Sequence, residues 1–180
     1  MIWFTADPHY GHGNIIKYCN RPFKDSRDMD DTMRKRHNER VSPKDEVYIL
    51  GDFGLSSEGH LLRILSSLNG KITILKGSHD RVLKKSLMPT LMSIVVNLRG
   101  KERQEITLCH YALRVWPKSH FGAWHLFGHS HGKLPSHGKS FDVGVDSHDF
   151  YPWSLDEVEQ KMETLTAFGI VDRRDRLEEG

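Results

Sequence analysis

The sequence has only two cysteines among its 180 residues and contains no long apolar run. Cys19 and Cys109 lie far apart and form no CxxC pair, so we expect two free thiols, with Cys109 packed in a strand. No stretch reaches the roughly 18 apolar residues of a membrane span. The first residues also lack the basic-then-apolar layout of a signal peptide. We therefore expect a cytoplasmic protein that has no membrane partner.

An excess of charge of one sign is also missing, since the formal net charge is only +2 and lysine and arginine are mixed among acids. A nuclease that acts on long polymers needs an extended basic track, and the sequence contains none, although a nucleotide-sized ligand remains compatible with this balance. The chain has no repeat and no linker long enough to divide it. We predict one domain over residues 1–180 with a charged tail at 165–180, and the oligomeric state stays open.

Apolar, β-branched runs alternate with helical patterns along the chain. Such runs are typical of strands buried on both faces. They lie at residues 1–7, 46–52, 71–80, 105–110, 125–131 and 140–148. Helices are predicted over 27–40, 57–68 and 155–163, and a hairpin around 99–104. The pattern predicts an α/β (α+β) fold in which two packed β-sheets are flanked by helices.

Histidine is abundant, with 12 residues, and many of them follow a predicted strand. Ligands of α/β sheets collect beyond the carboxyl ends of the strands. Aspartate and histidine together suit divalent metals such as Mn, Fe, Zn or Ni. One such pair is a weak signal, but their repetition at successive strand ends predicts a metal site, and the glycines at 51, 77 and 128 fit sharp turns there. The residues at these ends are Asp7, His9, Asp52, Ser78, His79, Asp80, His110, His129 and His131.

The order D-x-H, G-D, G-S-H-D, a later H and G-H-x-H resembles the calcineurin-like metallophosphoesterases, in which G-N-H-D holds the third place. The resemblance continues through "WFTADPHYGHGNII", "RPF", "VYILGDF", "GHSHG" and "DVGVD...YPWSLDEV". The resemblance covers residues 1 to about 158. Within the family, the chain is similar to the small single-domain bacterial and phage members. The resemblance implies a β-sandwich with helices outside and the hydrolysis of phosphate esters.

The resemblance also implies two divalent metal ions, with a bridging water or hydroxide as the nucleophile. Asp7, His9, Asp52 and His131 would hold the first ion, and Asp52, Ser78, His110 and His129 the second. Asp52 would bridge the two ions. His79 would protonate the leaving group, with Asp80 orienting it; the alternative is that His79 only holds the turn.

Ser78 departs from the family pattern, which has asparagine at this position. A serine hydroxyl is shorter than the asparagine side chain and is a poor neutral ligand. Four consequences stay open: a water fills the gap, the second metal binds weakly, the site uses one ion, or the serine was introduced to slow an active enzyme. We expect a weakened second metal site.

Five further residues are candidates for substrate binding: His12, Asn14, Arg81, Trp116 and His120. Trp116 could stack on a nucleobase, and Arg81 could pair with a phosphate. Three of them have a structural alternative, which for Asn14 is a helix N-cap and for His12 and Arg81 an exposed surface position.

These observations predict a metal-dependent phosphoesterase acting on phosphodiesters or nucleotides, since the chain has no sizeable insertion to cap the site. The partner would be a small phosphate ester or nucleotide. A phosphomonoesterase or protein phosphatase is the first alternative, although "GDFGLSSEG" and "GSHD" stand where serine/threonine phosphatases have "GDxxDRG" and "GNHE". A nearly inactive binding domain is the second, and Ser78 is the feature that favours it.

Overall fold

The computed structural model describes residues 1–82, 93–97 and 104–167 of the chain. The strands of this part form two four-stranded sheets, and helices flank them. This confirms the predicted fold class. The turn of the predicted hairpin and most of the predicted charged tail lie outside the described residues.

The first sheet contains three parallel strands: β1 (Ile2–Thr5), β2 (Glu46–Ile49) and β3 (Lys71–Ile74). A two-residue strand near the end of the described chain, β8 (Trp153–Ser154), pairs antiparallel with β1. The resulting strand order is β3-β2-β1-β8. The carboxyl ends of the three parallel strands therefore meet at one edge.

The second sheet has the order β4-β5-β6-β7. Its first strand, β4 (Ser93–Asn97), runs antiparallel to β5 (Glu105–Cys109), as the predicted hairpin requires. The strands β5, β6 (Trp124–Phe127) and β7 (Ser140–Asp142) are parallel to one another. Short bridges and backbone bonds join this sheet to the first one, including Val145 N–H to the Ala6 carbonyl at 3.0 Å.

The described part of the chain has four α-helices, at Gly13–Tyr18 (α1), Ser26–Arg40 (α2), Glu58–Ser67 (α3) and Leu155–Glu163 (α4). Asp25, Ser57 and Ser154 cap α2, α3 and α4 by accepting a bond from a backbone N–H of the first turn. The three longer helices were predicted within one residue at each end. The six-residue α1 was missed because it is too short to show a periodic pattern of apolar residues that would indicate a helix. Among the described helices, none is long and apolar enough to cross a membrane.

The side chains of the first sheet alternate between two apolar layers, as strand geometry requires. Trp3 and Val47 pack in one layer with Met29 of α2 and Leu61 of α3. Phe4 faces the other way, into a layer that the second sheet and α4 complete. The first sheet is therefore covered on both faces, which holds its carboxyl edge in a fixed position against the second sheet.

Candidate metal centre

The predicted ligands converge where the carboxyl ends of the two sheets meet. The loop after β1 runs beside the loop after β2, because the N–H groups of Asp7 and His9 donate to the carbonyls of Gly51 and Asp52, both at 3.1 Å. The loop after β6 joins them through the His129 N–H, which donates to Asp7 Oδ2 at 2.7 Å. Three separate segments thus bring their side chains to one place.

Five of the predicted ligands have a left-handed backbone, a conformation that is uncommon for residues other than glycine. Backbone strain of this kind costs of order 1–3 kcal/mol per residue and collects at functional sites. The five φ angles are 55° for Asp7, 53° for His9, 51° for Asp52, 68° for His129 and 50° for His131. This shared geometry turns each side chain from the end of its strand toward the centre.

Two groups of three potential ligands share the carboxylate of Asp52. Within each group the ligand atoms lie within 4.8 Å of one another. One group is Asp7, His9 and Asp52, and the other is Asp52, His110 and His129. The Asp52 Oδ2 atom lies 3.7 Å from His9 Nε2 and 3.4 Å from His110 Nε2. Asp52 could therefore contribute a ligand to either group, and no other described residue belongs to both groups.

Three buried polar atoms at this centre have no hydrogen-bond partner among the described residues: Asp7 Oδ1, His9 Nε2 and His110 Nε2. A buried polar atom without a partner is costly, so its presence calls for an explanation such as a bound ion. All three are atoms through which aspartate and histidine bind metals. The residues present therefore fit divalent cations, both in the chemistry of the donors and in where those donors point.

Hydrogen bonds to the opposite nitrogen of two histidines leave Nε2 available for a metal. His110 Nδ1 lies 2.8 Å from the Leu50 carbonyl oxygen, which fixes the tautomer that has its proton on Nδ1. His131 Nδ1 lies 2.7 Å from Asp146 Oδ2, the arrangement commonly seen behind a metal-binding histidine. The His131 ring stacks on that of His9 with centroids 5.3 Å apart.

Burial shapes the electrostatics of this centre. Loss of solvent raises the pKa of Asp7 to about 7 and lowers the pKa of His9 to about 3. Burial also raises the pKa of Asp52, but the His110 imidazole at 3.4 Å, a hydrogen bond from the His79 N–H and the nearby positive charge bring it below its usual range. A divalent cation would stabilise the ionised form of Asp7 and needs neutral His9, so the site is prepared for positive charge.

Two glycines allow neighbouring loops to approach the ligands. A Cβ atom at Gly77 would lie 2.2 Å from both the amide nitrogen and Oδ1 of Asp52, and one at Gly128 would lie 2.6 Å from Asp7 Oδ2. The sequence predicted glycine here for a sharp turn. The structure instead gives close packing against a ligand as the reason, because only Gly51 of the three predicted positions has a positive φ.

Ser78 lies against the shared carboxylate, where its Oγ donates to Asp52 Oδ2 at 3.0 Å. His79 is exposed beside it, and its backbone N–H donates to Asp52 Oδ1 at 2.7 Å. The His79 ring centroid is 5.5 Å from that of His9 and 6.1 Å from that of His12. We call the converging candidate ligands the metal-ligand cluster: Asp7, His9, Asp52, His110, His129 and His131. His79 and His12 therefore lie at the open side of this cluster, where a substrate would enter.

The predicted role of Asp80 as the group that orients His79 is wrong. Its carboxylate accepts from the backbone N–H groups of Asp52 at 2.7 Å, Phe53 at 2.8 Å and Gly77 at 2.8 Å. Asp80 is buried while His79 is exposed, since adjacent residues of this turn point in opposite directions. Asp80 ties the loop after β3 to the loop after β2 and so positions Asp52 instead.

Trp116 and His120 lie away from the metal ligands. Trp116 is 5% exposed and donates its Nε1–H to the Ala123 carbonyl, so it has no open face for stacking. Lys118, between them, forms an ion pair with Glu105 at the amino end of β5. The candidate ligand that follows β5, His110, lies roughly 17 Å along the strand from that end. The chain has crossed back to begin β6, which places both residues at the wrong end of the sheet.

The remaining two substrate candidates are both exposed. Asn14 is inside α1, and His12 occupies the N-cap position without a side-chain cap bond, so the alternative role of Asn14 as an N-cap is wrong. Arg81 follows the turn that carries His79, and its N–H donates to the His79 carbonyl at 2.8 Å. Arg81 is therefore next to the site, and its pairing with a phosphate stays a prediction.

Sequence reasoning gave no role to a buried arginine that supports the site. The guanidinium of Arg21 forms two bonds of 2.8 Å to the carboxylate of Asp146, which in turn holds His131. It also donates to the backbone carbonyls of Pro8 at 2.9 Å and Asp7 at 2.8 Å. The sequence marked Arg21 only through its place in the "RPF" segment. Its partner Asp146 lies 125 positions further along the chain, so no local pattern indicated the pair.

Two known proteins are similar to most of the chain. The uncharacterized protein MJ1445 of Methanocaldococcus jannaschii is 32% identical over 171 residues, which cover 90% of this chain and 91% of the archaeal protein. The chain belongs to the MJ1445 family. The Gene 66 protein of Mycobacterium phage D29 is 25% identical, over 91% of this chain and 96% of the phage protein. No family model matches the chain.

A solved structure agrees with the fold of this MJ1445 family member. The protein of unknown function AQ665 from Aquifex aeolicus has a TM-score of 0.67 at 22% identity and covers 89% of this chain and 98% of its own. A conserved uncharacterized protein of Streptococcus pneumoniae, described as a predicted phosphoesterase, has a TM-score of 0.40 at 20% identity and covers 79% of this chain and 70% of its own. The similarity to AQ665 shows the fold alone, so a function has to be argued from the site.

Proposed function

We propose that this protein is a metal-dependent phosphoesterase that holds two divalent ions and hydrolyses phosphodiesters or nucleotide phosphate esters. The observation that carries the proposal is the pair of ligand groups that share Asp52, with an unpartnered buried atom in each. The motif resemblance to calcineurin-like metallophosphoesterases supports the same reading. Mn, Fe, Zn and Ni suit such an aspartate and histidine donor set.

The protein's own residues divide into those that hold the ions and those that face the substrate. Asp7, His9 and Asp52 would hold one ion, with His131 as a further ligand; His110 and His129 would hold the other with Asp52. Bound divalent ions supply Lewis-acid stabilisation of phosphoryl oxygens and lower the pKa of water. The chain supplies rigid positioning, through the strand ends and the bonds that Asp80 makes to three backbone N–H groups.

The test of this function is hydrolysis of bis(p-nitrophenyl) phosphate with added Mn²⁺, compared with p-nitrophenyl phosphate. We expect turnover of the diester that a chelator abolishes and that Mn²⁺ restores, and its loss in His110→Ala. Faster turnover of the monoester would favour the phosphomonoesterase alternative. Stoichiometric metal binding without turnover of either ester would contradict the enzyme and favour a binding domain.

His79 is the proposed proton donor to the leaving group. Its exposed imidazole stands beside the His9 ring, where it can reach a substrate oxygen. General acid catalysis contributes typically 10²–10⁴-fold, and it matters most for poor leaving groups. We expect His79→Ala to slow hydrolysis of an alkyl phosphodiester by about 10²-fold or more, with a smaller effect on a p-nitrophenyl ester. Equal effects on both esters, measured as kcat, would rule out the acid role.

Ser78 is proposed to weaken the second metal position. Its hydroxyl donates to Asp52 Oδ2 and so engages the shared carboxylate, whereas an asparagine carbonyl could reach an ion directly. We expect Ser78→Asn to raise the bound metal per chain and to increase the rate of diester hydrolysis severalfold at limiting Mn²⁺. Ser66→Asn, on the exposed face of α3, provides the control. If Ser78→Asn leaves metal content and rate unchanged, the second position is not limited by the serine.

A further inference from the structure

A cavity of about 430 Å³ lies between α2 and α3. It is lined by the first half of α2, from Ser26 to Arg34, and by the first half of α3, from His60 to Ile64. Ser56 and Gly11 close it at the edge of the first sheet. The cavity is separate from the metal-ligand cluster, and the proposed mechanism gives it no role.

The cavity carries more positive charge than its own acids neutralise. Asp31 pairs with Arg34 at 2.9 Å, and the buried Asp30 accepts from His60 Nε2 at 2.8 Å and from the Gly11 N–H at 2.9 Å. These bonds satisfy both acids of the cavity. The side chains of the other two arginines of its lining, Arg27 and Arg63, form no hydrogen bond or ion pair with any described residue.

The chain topology puts this cavity beside the metal centre. Both helices connect parallel strands, so they run opposite to the strands and begin at the carboxyl edge, where the metal ligands lie. The turn at residues 9–12 serves both places: Gly11 lines the cavity, while the rings of His9 and His12 lie 5.4 Å apart in the metal-ligand cluster. Helix N-termini add partial positive charge at this edge.

We propose that the cavity between α2 and α3 binds a second, non-reacting phosphoryl group of the substrate, held by Arg27 and Arg63. The inference rests on the proposed phosphoesterase function and narrows its substrate class to phosphate esters that carry a further phosphate. Guanidinium groups are suited to this task because they bind phosphate oxygens in pairs. The reacting ester lies at the metal centre, and the turn at residues 9–12 sets the spacing between the two phosphates.

The experiment compares two p-nitrophenyl diesters that differ in one phosphate: thymidine 5′-(p-nitrophenyl phosphate) and its 3′-phosphorylated form. For the wild-type protein with Mn²⁺ we expect KM to be about 10-fold lower for the 3′-phosphorylated ester. The charge-assisted hydrogen bonds between the guanidinium groups and the additional phosphate strengthen substrate binding. In Arg27→Ala/Arg63→Ala this difference disappears, while hydrolysis of the ester without the 3′-phosphate is unchanged. That unchanged activity also shows that the variant is folded.

Lys35→Ala is the matched control, because Lys35 is an exposed cation of α2 that pairs with Glu39 and does not line the cavity. It should retain the 10-fold difference in KM. Equal KM values for the two esters in the wild-type protein, or an equal loss in Lys35→Ala, would overturn the phosphate subsite. Absence of hydrolysis of both esters would instead contradict the phosphoesterase function. Inorganic pyrophosphate binding to the metal-free protein, weakened by the double substitution, would then still support the subsite.

Discussion

Asp52→Asn is expected to abolish diester hydrolysis, with kcat/KM falling by at least about 10³-fold. Asparagine keeps the size of the side chain but removes the charge that both groups of metal ligands share. The two ions lose their common ligand together, and the Lewis-acid contribution of several kcal/mol is lost with them. Metal content measured by mass spectrometry should fall for both ions, and Mn²⁺-dependent turnover of bis(p-nitrophenyl) phosphate should fall in parallel.

The control for this substitution is Asp156→Asn, which makes the same chemical change at an exposed position in the first turn of α4. It should leave metal content and turnover unchanged. A variant Asp52→Asn that keeps two ions per chain and wild-type kcat would contradict the shared-carboxylate site. Loss of one ion with retention of the other would show that the two groups of ligands bind independently.

Arg21→Met is expected to lower the free energy of unfolding by about 3–5 kcal/mol, the range found when one partner of a buried ion pair is removed. The side chain of Arg21 is fully buried, and its guanidinium serves the carboxylate of Asp146 and two backbone carbonyls. Methionine fills much of the same space but removes the donor from both carbonyls and the positive charge from beside Asp146, which keeps only its contact with His131. Urea denaturation monitored by tryptophan fluorescence measures the change.

Two comparisons separate the ion pair from general effects of the substitution. Arg34→Met removes an exposed arginine from its pair with Asp31, and should change stability by less than about 1 kcal/mol. Asp146→Asn added to Arg21→Met should recover part of the loss, because the uncompensated buried charge is then removed. If the double variant is no more stable than Arg21→Met, the carboxylate is not the cause of the destabilisation.

The convergence of the proposed metal ligands was predictable because their signal is local. Each follows an apolar run, and parallel strands necessarily bring their carboxyl ends to one edge. Asp7, His9 and Asp52 therefore needed no knowledge of distant contacts to be placed together. The helix ends were predictable for the same reason, since Ser154 and Glu157 form the capping box that their spacing indicates.

The wrong predictions assumed that residues close in the sequence are also close in space. Trp116 comes six residues after a metal ligand, yet the chain returns to the opposite end of the sheet before β6 begins. Asp80 is next to His79, yet it is buried beneath the turn and binds backbone groups. The bond between Arg21 and Asp146 spans most of the chain, and no local pattern marks such a pair.

The left-handed backbone at five ligand positions limits which substitutions can report on chemistry. Branched side chains fit this conformation poorly, so a valine or isoleucine there would unfold part of the site and imitate the loss of a ligand. Asparagine tolerates the conformation while lacking the charge or ring of the native residue. In a library of all substitutions, asparagine variants at these positions would therefore separate inactive folded proteins from misfolded ones. The same restriction narrows the set of sequences through which such a site can drift during evolution.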